Sequence, residues 1–380
     1  MRKISMLDLT TEMALYGHAV REAVDRVLSG QAFINGPEVV ELERLLAARI
    51  GVKHAVAISN GSDALLCAMM ALSLGPGDEV IAPSFTFFAT AGAIARTGAR
   101  PVFVDIDPNT FNVDPRAIEA AINSRTKAIV SVDLFGQCAD ADAIITIARK
   151  RGLHVIEDAA QAIGAKYHDR QAGAQGHIAS FSFYPTKNLG GFGEGGLITT
   201  DDDSLATVCK QLRNHGESER YVHERVGANF RLDTLKAAIL LAKLPHLDDF
   251  NQRRRRHAAM YDELLADLPL QTPHVPDGHE PVYHQYTIQC DHRDELRKFL
   301  ADRGVATGVY YPIPLHLQRC FAYLNYRKGD LPITESACER VVSLPCHPML
   351  VDSDLEFVAE QIAEYFDKAN LTCATAVSRG

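Results

Sequence analysis

Between about residue 52 and residue 200 the chain alternates short, mainly apolar runs with longer amphipathic stretches. The runs at 55–58, 79–82, 101–104, 128–132 and 154–157 predict strands. The stretches at 62–74, 88–97, 114–122 and 140–151 predict helices. Strands that stay apolar along their length, separated by helices, imply a mostly parallel sheet covered on both faces. Ligands of such sheets gather beyond the carboxyl ends of the strands, so the residues after each run are the ones to read for chemistry.

The pattern changes near residue 246. A long charged helix is predicted over 246–268, and it contains Arg253, Arg254, Arg255 and Arg256 in sequence. A solvated helix face is the preferred reading of that run over a polyanion site. The segment 270–281, rich in Pro, Gly and His, reads as a loop. A strand at 283–289 and a helix at 293–303 then suggest a smaller α+β unit. The expected division is a large domain over 1–245, with an N-terminal helical arm, and a small domain over 246–380. The end of the chain, with Thr372, Ala374, Thr375 and Gly380, reads as a loose tail.

Composition narrows the function classes. With 380 residues, 47% hydrophobic and 23% charged, the chain can bury a sizeable core. A net charge of -9 disfavours a nucleic-acid partner. The eight cysteines show no C-x-x-C spacing, so no metal cluster or disulfide framework is expected. The N-terminus has no apolar h-region, and no apolar run nears the ~20 residues that span a bilayer. A cytoplasmic protein without a membrane partner is the expectation.

Four segments carry candidate chemistry. Ser59-Asn60-Gly61-Ser62-Asp63-Ala64 lies between a strand and a helix. A helix N-terminus attracts anions, Gly61 allows close backbone approach and Ser62 adds a hydroxyl; the alternative is a plain Ser or Asp cap. His154-Val155-Ile156-Glu157-Asp158 ends an apolar strand with two carboxylates. Buried there, a carboxylate needs a charged or donor partner; a helix cap or surface acid is the alternative. Ser182-Phe183-Tyr184-Pro185-Thr186-Lys187-Asn188 runs into a glycine-dense loop at 190–196. A lysine shielded there loses its proton more readily and can act as nucleophile and base, whereas a surface lysine would not. Finally, Pro83-Ser84-Phe85-Thr86-Phe87-Phe88-Ala89-Thr90 offers aromatics, one of which could stack on a flat ring while the rest pack in the core. Together these residue types ask for a flat, anionic, carbonyl-bearing cofactor with a basic ring nitrogen.

The segments resemble the DegT/DnrJ/EryC1/StrS family of sugar aminotransferases over nearly the whole chain. Beyond the motifs above, the resemblance includes Gly36-Pro37-Glu38-Val39, Arg213-Asn214-His215-Gly216, Asn229-Phe230-Arg231-Leu232-Asp233 and Tyr311-Pro312-Ile313-Pro314-Leu315-His316. It implies an α/β protein of the aspartate aminotransferase fold (fold type I), with a mostly parallel seven-stranded sheet and a smaller C-terminal α+β domain. It implies pyridoxal 5'-phosphate (PLP) as cofactor and Lys187 as its Schiff-base lysine. By the same resemblance Asp158 pairs with the ring nitrogen, Gln161 contacts the ring hydroxyl and Phe87 stacks on the ring. Gly61, Ser62 and Ser182 hold the phosphate, and Asn229 reaches it from a second subunit, so a homodimer with shared sites is implied. Arg231, Tyr310, Tyr311 and His316 are expected near the sugar nucleotide.

The family's dehydratases carry histidine at the lysine position, and Lys187 disfavours that branch. Tyr311–His316, with Gln318 and Ser343-Leu344-Pro345-Cys346-His347-Pro348, resembles enzymes that aminate C3 rather than C4. Tyr310 stands where enzymes for uronic-acid sugars often have histidine. The expected reaction is amino transfer from L-glutamate to a 3-keto hexose on UDP or dTDP, with a C4-keto substrate or a PLP-dependent dehydration as alternatives.

Overall fold

The apolar runs become the strands of one sheet. The computed structural model describes residues 2–377. Its strands are β1 (His54–Ile58), β2 (Glu79–Pro83), β3 (Arg100–Val104), β4 (Thr126–Val132), β5 (His154–Asp158), β6 (Ile178–Ser182) and β7 (Gly196–Thr200). Their spatial order is β1-β7-β6-β5-β4-β2-β3. Strands β2 to β6 pair in parallel, and β7 runs antiparallel to both β1 and β6. Every position of β2 and β7 is buried, which is why these strands read as unbroken runs rather than as alternating ones.

Helices α1 (Leu9–Gly30), α2 (Pro37–Ile50), α3 (Gly61–Ala71), α4 (Phe88–Thr97), α5 (Pro115–Ala121), α6 (Ala141–Arg151), α7 (Asp203–Arg213) and α8 (Thr234–Lys243) accompany the sheet. The two faces have separate apolar cores. Val56, Val80 and Val130 pack with Leu65 and Met69 of α3 on one side. Ala55, Ala57 and Leu197 pack with Leu42 and Leu46 of α2 on the other. Adjacent strand residues thus serve opposite faces, as a period of two requires.

After α9 (Leu247–Leu264) the chain forms α10 (Arg293–Ala301), α11 (Pro332–Arg340), α12 (Asp352–Val377) and the antiparallel pair β8 (Tyr286–Gln289) and β9 (Val341–Leu344). Tyr261, Ile288, Leu296, Leu344 and Leu355 share a third core there. Contacts cross the 245/246 division in several places among the described residues. Ile4 bridges to Val305 and joins the third core. Phe321, Leu324 and Leu331 pack back onto Ala91 and Phe103 beside the sheet.

Four expectations need correction. The helix expected at 62–74 starts at Gly61 and stops at Ala71, where Leu72 ends it and Ser73 takes a φ of 56°. The strand expected at 283–289 begins only at Tyr286, because Tyr283 has a φ of 45°, outside extended backbone. The solvated arginine face is only half right. Arg253 and Arg256 pair with Asp249 and Asp352 at the surface. Arg254 is buried, donating to the carbonyls of Tyr283 and Cys346, and Arg255 donates to those of Pro281 and Gly164. A helix turns successive residues through about 100°, so a run of four must point both in and out. The expected tail is helical as far as Val377, with no Gly or Pro between Asp352 and Val377 to stop it, and 378–380 lie outside the described residues.

Candidate active site

The carboxyl ends of β1, β2, β5 and β6 open onto one cavity of about 480 Å³. At the end of β1 the helix cap is Asn60, whose Oδ1 accepts from the amide of Asp63 at 2.8 Å. Ser62 is therefore not the cap, and it lines the cavity with Gly61. The amides of these two residues open the helix, where no carbonyl of the same helix can accept from them. The helix dipole adds partial positive charge at that end. Gly61 is sterically required: a Cβ there would meet Cβ of Ser182, at the end of β6, at 2.7 Å.

Strand alternation separates the two carboxylates of β5. Glu157 turns away and accepts from the amides of Gly173, Gln175 and Gly176. Asp158 lines the cavity, 5% exposed. Its Oδ2 accepts from Oγ1 of Thr90 at 2.8 Å and its Oδ1 from the amide of Ala160 at 3.3 Å. Burial pushes this carboxyl upward; the two hydrogen bonds and the charge of Lys187 oppose it.

Lys187 enters from the loop after β6. Its own amide donates to the carbonyl of Tyr184, and Gly191 N donates to the carbonyl of Phe183, both at 2.8 Å. Gly190 leaves no room for a side chain, since a Cβ would lie 2.3 Å from the carbonyl oxygen of Pro185. Lys243 fixes the loop from behind, Nζ donating to the carbonyl of Gly190 at 2.5 Å. The Lys187 amine is pushed down to about 8 by burial, with Asp158 opposing. That puts a neutral amine within reach near physiological pH.

Of the three adjacent phenylalanines, Phe85 is core and Phe88 stacks on Phe321 at 5.7 Å. Phe87 is 55% exposed and lines the cavity, 6.1 Å from the ring of Tyr311. Gln161 is held at both ends: Oε1 accepts from Phe135 N at 2.7 Å, and Nε2 donates to the Tyr311 hydroxyl at 3.2 Å. A second N–H on Nε2 remains for a ligand. Tyr310 completes this wall.

Three expected site residues lie elsewhere. His316 is sealed, 2% exposed, with Nδ1 against Oγ of Ser84 at 2.7 Å and Nε2 against Glu335 at 3.1 Å. It is a correction to the expected substrate contact: His316 ties the segment carrying Tyr310 and Tyr311 to the end of β2. Asn229 is exposed and bridges to Asn214, and Arg231 bridges to Ile58; neither lines the cavity. Conversely, Thr90 and His284 belong to the site and were missed. Thr90 stands one helical turn after Phe87, a spacing that places both at one end of α4. His284 comes from a stretch read as strand, and nothing local marks it. Among the described residues no cluster of three or more His, Cys, Asp or Glu is placed to hold a metal ion.

Residues 16–363 match the DegT/DnrJ/EryC1/StrS aminotransferase family. The chain is 50% identical over 367 residues to the pleiotropic regulatory protein of Geobacillus stearothermophilus, covering 96% of this chain and 98% of that one. It is 46% identical over 355 residues to the UDP-2-acetamido-2-deoxy-3-oxo-D-glucuronate aminotransferase of Pseudomonas aeruginosa, covering 93% and 98%. It is also similar to S. venezuelae DesV in complex with a ketimine intermediate, with a TM-score of 0.94 and 41% identity over 96% of this chain and 99% of that one. The matched region contains the whole sheet and every wall of the cavity, and the chain belongs to the DegT/DnrJ/EryC1/StrS aminotransferase family.

Proposed function

We propose that this aminotransferase moves an amino group from L-glutamate to a 3-keto hexose carried on UDP or dTDP, using PLP bound in the Lys187 cavity. The observation that carries the reading is the pair formed by Lys187 and Asp158, a depressed amine and a buried carboxylate opening onto one space. The residues present fit the cofactor. Asp158 is buried and its hydrogen-bond partners, Thr90 and the amide of Ala160, are both neutral, which leaves it suited to pair with a protonated ring nitrogen. The Gly61–Ser182 cradle, with no room for a Cβ, fits close approach of a phosphate to backbone amides.

When bound, PLP supplies an electron sink for charge that develops beside the transferred nitrogen. The amides of Gly61 and Ser62 and the hydroxyls of Ser62 and Ser182 bind its phosphate. Asp158 holds a proton on its ring nitrogen, which favours the charge-separated transition state over the ground state. Gln161 offers its free N–H to the ring hydroxyl, and Phe87 covers one ring face. Lys187 Nζ would hold the cofactor and would move the proton at the carbon bearing the nitrogen. Tyr310 and Tyr311 face the sugar, with His316 acting through them.

Asn229 and Arg231 lie outside the cavity and two residues apart in extended backbone, so they share a face. We assign both to the cavity of a second copy in a homodimer, Asn229 toward the phosphate and Arg231 toward the sugar nucleotide. The 3-oxo sugar named for the Pseudomonas relative supports amination at C3. No helix among the described residues is long and apolar enough to cross a membrane. The test is to add L-glutamate to PLP-loaded protein. The visible absorbance should pass to that of the pyridoxamine form and return on adding a 3-keto nucleotide sugar. A spectrum that no amino donor shifts would remove the reading in favour of a dehydratase.

A further inference from the structure

His284 lines the Lys187 cavity, is 7% exposed, and has no part in the mechanism above. A chain of amides behind it fixes which ring nitrogen carries hydrogen. Asn251 Nδ2 donates to the carbonyl of Ile163 at 3.0 Å, which turns its Oδ1 toward Asn188. Asn188 Nδ2 donates to that Oδ1 at 2.8 Å and to the carbonyl of Val282 at 3.1 Å. Backbone carbonyls can only accept, so each amide has one orientation. Asn188 Oδ1 then faces Nδ1 of His284 at 3.2 Å, and Nδ1 must be the protonated nitrogen. Nε2 is left as a bare lone pair.

The charge environment agrees with this tautomer. Burial, then the positive charges of Lys187 and Arg254, hold the imidazole well below the ordinary histidine range, so it stays neutral. Around the same cavity stand Asp158, Glu194, Tyr310 and Tyr311. Asp158 already favours the charged lysine, and a second carboxylate beside it would add to that bias. A locked neutral imidazole offers direction without that bias.

We propose that His284 is a positioning residue for Lys187, presenting Nε2 as the acceptor to which the free lysine ammonium donates. The inference rests on Lys187 being the reactive amine, and the two can fail separately. The first measurement is made on the unmodified full-length protein with nitrogen-15 in its imidazole rings, using His284→Gln to assign the signal. A proton on Nδ1 of His284 is expected; a proton on Nε2 overturns the proposal.

The second measurement follows Lys187 in cofactor-free, full-length protein by competitive labelling with trace acetic anhydride, from about pH 6 to pH 10 around the amine's range. An acceptor stabilises the ammonium, so its loss should lower the labelling midpoint. His284→Asn keeps an amide near Nδ1 but removes the acceptor. Its midpoint should fall by about one pH unit, the size of one net hydrogen bond, and His284→Gln should restore part of it. An unmoved midpoint in folded His284→Asn overturns the proposal, since a merely structural histidine would give that result. Borohydride reduction of the wild-type holoenzyme separates the two readings. PLP fixed to Lys187 with an unmoved midpoint refutes only the His284 role, whereas no PLP on Lys187 removes the ground for both.

Discussion

Thr90 donates from Oγ1 to Oδ2 of Asp158 across 2.8 Å, joining the first turn of α4 to the end of β5. Burial works against the charged carboxylate, and this bond is the largest effect opposing it. Thr90→Val keeps the shape and removes the hydroxyl. The Asp158 carboxyl should rise further, leaving less negative charge for a ring nitrogen. We expect PLP to be held about 10- to 150-fold less tightly, equivalent to about 1.5–3 kcal/mol for a hydrogen bond to a charged group. Equilibrium dialysis followed by absorbance measures it; retention equal to wild type would refute a cofactor role for the pair.

The cradle makes a steric prediction. A Cβ on Gly61 meets Ser182 Cβ at 2.7 Å, so Gly61→Ala must push β6 and α3 apart or tilt the helix end. The expected cost falls on the anion site, about 1–3 kcal/mol by analogy with overpacked cores. PLP and free phosphate should both bind more weakly to a protein whose circular dichroism is unchanged. Normal phosphate affinity would show that this helix end is not the anion site.

The depressed amine of Lys187 sets a pH dependence. Its folded value, about 8, lies below the ordinary lysine value of 10.5, so the neutral form gains as pH rises through about 8. Only the neutral amine attacks PLP. Capture of PLP by cofactor-free protein should therefore speed up about tenfold per pH unit below about 8 and level off above it. The linked effect on stability has the same direction. Between about 8 and 10.5 the unfolded chain binds the extra proton, so the cofactor-free protein gains stability with rising pH in that window. A capture rate that climbs steadily to 10.5 would mean an ordinary, solvated lysine.

Most of the sheet was legible because buried parallel strands write a local signature. β2 through β5 were found within a residue or two by their apolar runs alone. Lys187, Asp158 and Gly61 were legible because each follows a strand and carries chemistry unusual for its neighbourhood. Partners that act across elements were not. Thr90 looks like any helix threonine until α4 is laid beside β5. His284 acquires meaning only through Asn188 and Asn251, which are 96 and 33 residues away in sequence but converge behind the cavity. His316 misled in the opposite way: its motif placed it near the substrate segment, but the packing of Ser84 and Glu335 enclosed it.

Arg254 tests the corrected reading of the arginine run. Its guanidinium donates to the carbonyls of Tyr283 and Cys346, linking α9 to the segments that carry His284 and β9. Burial holds its pKa below the ordinary arginine range. Arg254→Met fills most of the volume but leaves two carbonyls without that donor. We expect a loss of about 2–4 kcal/mol in urea denaturation, against less than about 0.5 kcal/mol for Arg253→Met at the surface. Equal effects of the two substitutions would restore the solvated-face reading.

The shared site can be tested without any structure of a dimer. Asn229 is exposed and lies outside the cavity of its own chain, yet it is assigned to the phosphate. If it serves a second copy, Lys187→Ala and Asn229→Ala damage different sites of a hybrid dimer. One site then lacks both groups and the other is intact. Each homodimer of a variant carries the same defect twice. Free exchange of equal amounts makes about half of the dimers hybrid, so activity should recover to about a quarter of wild type. The recovery should grow with time at the rate of subunit exchange and vanish if the subunits are cross-linked before mixing. Activity that stays at the sum of the two separate variants, under conditions where mass spectrometry detects hybrids, would place Asn229 outside the partner's site.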